Sequence, residues 1–234
     1  MINVTSIQNN NSQSIGRGWS NMTIEYAFPW AVRRYALLGV FGLLTFVSSL
    51  FVVHLTGIDF DWMRDYVSNL ANEPLGWVFI AGTFVHGWGN LALARALYGT
   101  LDQGRLRTWA ISLFCLAAVG ILVAALFPVD PTGQLPTTTG RIHRSAASVT
   151  FFSELGALFV FSAAFSYYPH WRNQQRVSLV MSVSAALAMV AFIIALQVDV
   201  TPGLAERVAL STLLVWEVWI CYQLLRPSGQ KIKQ

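Results

Sequence analysis

The chain reads as an all-α integral membrane bundle of six transmembrane helices with both termini on the cytoplasmic side. Three observations predict this. Of the 234 residues, 55% are hydrophobic and only 11% charged, and the mean hydropathy is +0.52, which lies outside what a soluble domain of this length shows. Six apolar runs each reach the roughly 20 residues that a helix needs to cross a bilayer. The basic residues, finally, gather on one side of those runs.

Residues 1–30 open the chain with a polar stretch rich in Asn and Ser. It lacks the apolar core of a cleavable signal peptide, and the expectation is a flexible cytoplasmic tail. Three Asn-x-Ser/Thr triplets there, at Asn3, Asn10 and Asn21, carry no weight on that side of the membrane. The spans follow at 35–56, 77–98, 108–127, 145–168, 177–198 and 204–225, so that 31–226 forms one bundle and 227–234 a basic cytoplasmic tail. Runs this long, without alternation, exclude a β-barrel. Trp30, Tyr35, Trp77, Tyr98, Trp109, Tyr167, Tyr168 and Trp171 stand at span ends, where amphipathic rings suit the headgroup layer. Gly39 and Gly42 on the first span, and Gly76, Gly82, Gly87 and Gly89 on the second, allow close helix approach. Cys115 and Cys221 fall inside spans and read as small hydrophobes.

Orientation follows from eleven of the fifteen basic residues: Arg17, Arg33 and Arg34, then Arg95, Arg105 and Arg107, then Arg172 and Arg176, then Arg226, Lys231 and Lys233. These flank one set of span ends, which the retention of Lys and Arg places in the cytoplasm. The opposite loops hold Asp59, Asp61, Asp65, Glu73, Asp130, Asp199 and Glu206. The pI near 9.3 thus reports topology and contact with anionic headgroups, and no nucleic-acid partner is expected. The expected partners are membrane lipids and further copies of the chain, and the expected location is a cell membrane, bacterial inner or plasma.

Two polar sets interrupt the apolar pattern. The outer set consists of Asp65 and Ser68 in the first loop, Asp130 and His143 around the third, and Glu206 and Arg207 at the start of the sixth span. Carboxylate, hydroxyl, imidazole and guanidinium together suffice for acid-base or metal-assisted chemistry, and equally for a structural hydrogen-bond network. Asp65 and Ser68, three apart, share a face of a short helix that Asp65 could cap. His143 reads as a loop histidine between Arg141 and Arg144. Arg207 suits a carboxylate such as Asp65 or Asp130, or a lipid phosphate.

The second set lies at bilayer depth: His86 and Asn90 on span two, Glu154 on span four and Glu217 on span six. Polar groups there are costly and stand as functional candidates. At 1.5 Å per residue, His86 and Glu154 sit about 13 Å below their outer span ends, and Asn90 and Glu217 about 20 Å. That pairs His86 with Glu154 and Asn90 with Glu217, as a substrate or proton path or as interhelical glue.

The stretches DYVSNL after the first span, FPVD closing the third, IHRSAA opening the fourth and GLAERV before a Trp-containing sixth span resemble the bacterial membrane family known as domain of unknown function 998. The resemblance covers roughly residues 34–226 and implies a six-helix membrane protein without naming a reaction. The layout is more distantly similar to Frag1/DRAM-type proteins and to ceramidase-like membrane hydrolases. The HxxxH metal pair of those hydrolases does not occur in this chain. No metal or cofactor is named by the residues. Three classes of function stay open: a lipid-handling protein or membrane-embedded hydrolase with its site in the outer set, a small proton-coupled transporter along His86, Glu154 and Glu217, and a non-catalytic assembly subunit.

Overall fold

The computed structural model of the chain describes residues 30–57, 60–131 and 134–226. The two expected tails and their Asn triplets lie outside the described residues, as does Asp59; only Trp30 belongs to the first helix. Six long helices make up the body: α1 (Trp30–Thr56), α2 (Gly76–Tyr98), α3 (Arg105–Leu126), α4 (Thr138–Phe165), α5 (Gln175–Val198) and α6 (Pro202–Leu225). Short 3-10 helices, Val67–Asn72 and Arg172–Gln174, lie before α2 and α5. No strand occurs among the described residues. Each helix packs on the next, and α6 closes the ring against α1.

Five helices are long and apolar enough to cross a membrane. The exception is α2, which at 23 residues has the length but not the apolarity, because His86, Asn90 and four glycines interrupt its apolar residues. Its glycines place it against α1. A Cβ built on Gly42 would stand 2.8 Å from the Gly89 Cα, so the two backbones meet directly. Such small-residue contacts let dispersion forces hold helices together where lipid supplies no hydrophobic drive.

The end carrying Arg33, Arg95, Arg107 and Arg172 is closed by aromatic packing. Trp171, expected as a surface anchor, is instead fully buried and stacks on Phe165 at 4.6 Å. Trp30, Trp77, Trp109 and Tyr167 are exposed, as headgroup anchors require. Trp216, also fully buried, gives its Nε1–H to Ser178 Oγ at 3.1 Å, and Ser162 joins Ser178 and Ser182 at 2.7 and 3.1 Å. This serine cluster satisfies the indole inside the core of α4, α5 and α6.

The opposite end is built by tight turns. Asp199 and Thr201, at φ 51° and 48°, carry the chain from α5 into α6 through the left-handed region, with Pro202 at the first turn, where its missing N–H loses no helical bond. The loop stays in place because Leu204 N–H donates to Met63 O at 3.1 Å. Gly203 lies so close to the Asp65 carbonyl that no side chain fits between them. Helix α4 starts at Thr138, seven residues before the expected 145, because Thr137 caps it by accepting Gly140 N–H at 3.1 Å. His143 is therefore a buried helical residue and not a loop histidine.

The α1–α2 contact generates a prediction. Gly89→Val should cost about 1–3 kcal/mol through overpacking, read as a lower melting temperature in detergent. Gly156→Ala should not, since its Cβ would meet only Leu113 Cδ1 at 3.5 Å.

Candidate functional site

The intramembrane set converges at the centre of the bundle from alternate helices. Glu217 of α6 receives two partners from α2: His86 Nε2 lies 2.8 Å from Oε2, and Asn90 Nδ2 donates to Oε1 at 2.6 Å. The four-residue step between His86 and Asn90 puts them one above the other, so that one carboxylate spans both. Glu154 of α4 lies against Glu217, and its Oε1 has no hydrogen-bond partner. Of the two pairs expected from the depth count, Asn90 with Glu217 forms, whereas His86 bonds Glu217 and not Glu154. Phe46 of α1 stacks on the His86 ring at 4.9 Å and fixes its plane. All four polar residues are at least nine-tenths buried.

The outer set divides in two. Asp65 and Arg207 belong to a latch. Asp65 accepts Asp61 N–H at 2.9 Å through Oδ2, while Oδ1 lies 3.5 Å from Asn69 Nδ2, so it orders the first loop without capping the 3-10 helix. Arg207 does not pair with a carboxylate. Its Nη1 donates to the carbonyls of Asp65 at 2.7 Å and Gly203 at 2.8 Å, its Nη2 lies 3.3 Å from His54 Nε2, and its guanidinium stands 5.2 Å from the Phe60 ring centre. His54 was not singled out from the sequence. Its Nδ1–H donates to Leu50 O at 2.8 Å, which leaves Nε2 to accept from Arg207.

Ser68, Asp130, His143 and Glu206 line a vestibule of about 490 Å³. Glu206 Oε2 accepts Val67 N–H at 2.6 Å, an otherwise orphaned donor at the start of the 3-10 helix. His143 Nδ1–H donates to the carbonyls of Ala124 and Phe127 at 3.0 and 2.9 Å, satisfying the end of α3 and fixing the tautomer, so Nε2 carries the free lone pair. Asp130 accepts from Thr137 twice, from the hydroxyl at 2.5 Å and the backbone N–H at 3.0 Å. These bonds, the hydroxyl first, hold its carboxyl below the usual carboxylate range, with Arg144 and Arg141 adding to the effect. Tyr66 also lines the vestibule, and burial, then Glu206 and Asp199, push its phenol up, so it remains a neutral hydroxyl there.

Ser68, Ala147, Phe151, His143 and Glu206 line not only the vestibule but also a deeper chamber of about 110 Å³, whose wall includes His86 and Glu154. Members of both polar sets, Ser68, Asp130, His143 and Glu206 of the outer one and His86 and Glu154 of the inner one, therefore line one pair of adjoining cavities. Thr83 and Thr150 complete the chamber. Their signal was present in the sequence, Thr150 being four residues before Glu154 and Thr83 three before His86, hence on the same faces. Among the described residues no group of three or more His, Cys, Asp or Glu side chains is arranged to hold a metal ion.

Two outcomes follow. Glu217→Ala strands His86 and Asn90 in the core and should cost about 3–5 kcal/mol, read by thermal unfolding in detergent. The Asp130 carboxyl, depressed in the folded state, adds stability that is fully present above the ordinary carboxylate range. That stability is lost as pH falls through the folded-state value. Asp130→Asn should lower the melting temperature above pH 6 and flatten the acid limb, so that the variant and the parent converge at low pH; an unchanged acid limb would refute the role.

No curated protein and no solved structure matches this chain. A family model described as "Protein of unknown function (DUF998)" matches residues 36–223, from within α1 to within α6, and this range includes all residues that line both cavities. The order of motifs, the helical bundle and this match agree, and the chain belongs to the DUF998 family.

Proposed function

We propose that this protein spans the membrane six times, with both termini cytoplasmic, and binds a single membrane amphiphile in the vestibule on the outer side. The observation that carries this reading is the asymmetry of the vestibule wall. One side presents Tyr66, Ser68, Asn69, Asp130, His143, Arg144 and Glu206. The other is apolar, made by Phe152, Met189, Phe192, Ile193 and Leu196 of α4 and α5, and Phe152, Ile193 and Leu196 also reach the outer surface of the bundle, where lipid chains run. A cleft with an apolar wall and a few placed polar groups fits a molecule with a chain and a head. Including α2 as the sixth span is supported by its length and by its place in the ring between α1 and α3, which shield its polar residues from lipid. The cytoplasmic placement of the termini is supported by the cluster of basic residues at one end.

A second reading, a hydrolase acting on that amphiphile, is favoured by one feature. The two carbonyls at the end of α3 orient His143 so that Nε2 is available as a base, and the Ser68 hydroxyl lines the same cavities.

Mass spectrometry of lipid that stays with the purified protein tests the first reading. Met189→Trp, which fills the apolar wall, should weaken retention by about tenfold, or ~1.4 kcal/mol. Equal retention in this variant would sink the cleft. Ser68→Ala and His143→Gln separate the readings: both keep bound lipid, and only the hydrolytic reading expects them to abolish turnover of a lipid panel.

A further inference from the structure

The chamber behind the vestibule is an inventory of acceptors. Thr83 and Thr150 donate their hydroxyl protons to the carbonyls of Phe79 and Ala117, at 2.9 and 3.3 Å, so towards the chamber they can only accept. His143 has given its Nδ1–H to α3 and keeps a lone pair on Nε2. Glu154 Oε1 has no partner, and Glu206 has one oxygen on Val67 and the other unshared. Both acids are more than nine-tenths buried. The hydroxyl of Ser68 is the exception, a donor as well as an acceptor. No Lys or Arg is among the lining residues.

We propose that the chamber is a binding site for a primary ammonium group carried on a short apolar body. An ammonium has three donors and no acceptor, which complements this wall where a hydroxyl or a carboxylate does not. Its positive charge meets two carboxyl groups and no fixed cation, and a buried, unpartnered carboxyl oxygen repays its desolvation only through such a donor. Apolar residues of the wall, Phe46, Phe79, Ile121 and Leu213 among them, take the body of the ligand. The volume, about 110 Å³, suits a body of a few carbon atoms, and a quaternary head of the same size lacks the N–H donors that this wall of acceptors requires. Titratable groups facing Glu154 are Glu217 and Glu206 on α6 and His86 on α2, with His143 on its own helix; α1, α3 and the 3-10 helix contribute none to the chamber wall. The inference gives the head of the proposed amphiphile a chemical class, and rests on that reading only for the route by which a ligand arrives.

The test is calorimetric titration of the full chain in nanodiscs with n-butylammonium, against n-butanol, butyrate and tetramethylammonium. Butylammonium should bind at least about tenfold more tightly than the other three, and Glu154→Gln should remove that preference. Ala125→Leu, which narrows the chamber from α3 without touching a charge, should weaken butylammonium to a similar extent and guards against misfolding of the Gln variant. Equal binding of butanol, or unchanged binding in both variants, overturns the proposal. Lipid retention in the vestibule is measured separately, so a lost chamber with a retained cleft refutes this inference alone.

Discussion

Both oxygens of Glu217 are occupied by α2, and this one carboxylate ties α2 to α6 across the inside of the bundle. In hydrocarbon an unpaired carboxylate, imidazole or amide each costs several kcal/mol, so the four groups must meet or the bundle must admit water. They meet at one depth, which sets the register of α2 against α6. The Gly42–Gly89 contact then sets the distance of α2 from α1. Phe46, held on α1 by that contact, lies flat on His86 and leaves the imidazole one orientation. Glu154 is the remainder of this arrangement. With Glu217 already shared by two partners, one oxygen of Glu154, a residue that lines the chamber, is left without a hydrogen-bond partner.

The vestibule depends on a different constraint, the need to satisfy helix ends where the chain turns in an apolar setting. His143 closes the last carbonyls of α3, Thr137 takes an N–H of the first turn of α4 and is itself held by Asp130, and Glu206 takes the first N–H of the 3-10 helix. Arg207 uses its fork on two carbonyls and an imidazole for the same purpose. Groups that secure the scaffold in this way still offer a second face to the cavity: Nε2 of His143 and the unshared oxygen of Glu206. Single side chains thus both anchor a helix end and line a cavity, and substitutions that spare the anchoring bond are the informative ones.

The left-handed turn at Asp199 and Thr201 and the bare backbone of Gly203 let the start of α6 press against the loop that carries Asp65. Without that close approach, Glu206 could not reach Val67 N–H, and the vestibule would lose one wall. The turn is three residues long, so α5 and α6 are antiparallel neighbours, and α5 is left to form the apolar wall of the vestibule.

Most of the helices were legible in the sequence because a bilayer demands long apolar runs, and a run of that length has few other solutions. The identity of the polar sets was legible for the same reason: His86, Asn90, Glu154 and Glu217 stand out against hydrocarbon. The pairing of Asn90 with Glu217 was legible too, but the partner of His86 was not, since counting residues from span ends assumes parallel helices with level ends, and side-chain reach of a few ångströms decides between Glu154 and Glu217. The burial of Trp171 was hidden because an aromatic at a span end looks alike whether it faces headgroups or a neighbouring Phe165. His143 was misplaced because a cap at Thr137 extends α4 by seven residues into a stretch whose two arginines resemble a loop. Sequence alone determined an all-helical membrane chain and the residues that membrane burial makes expensive. Only the tertiary structure decided that members of both polar sets line adjoining cavities, because that follows from which helix faces meet, and meeting is governed by glycine contacts and helix-end hydrogen bonds between residues far apart in the chain.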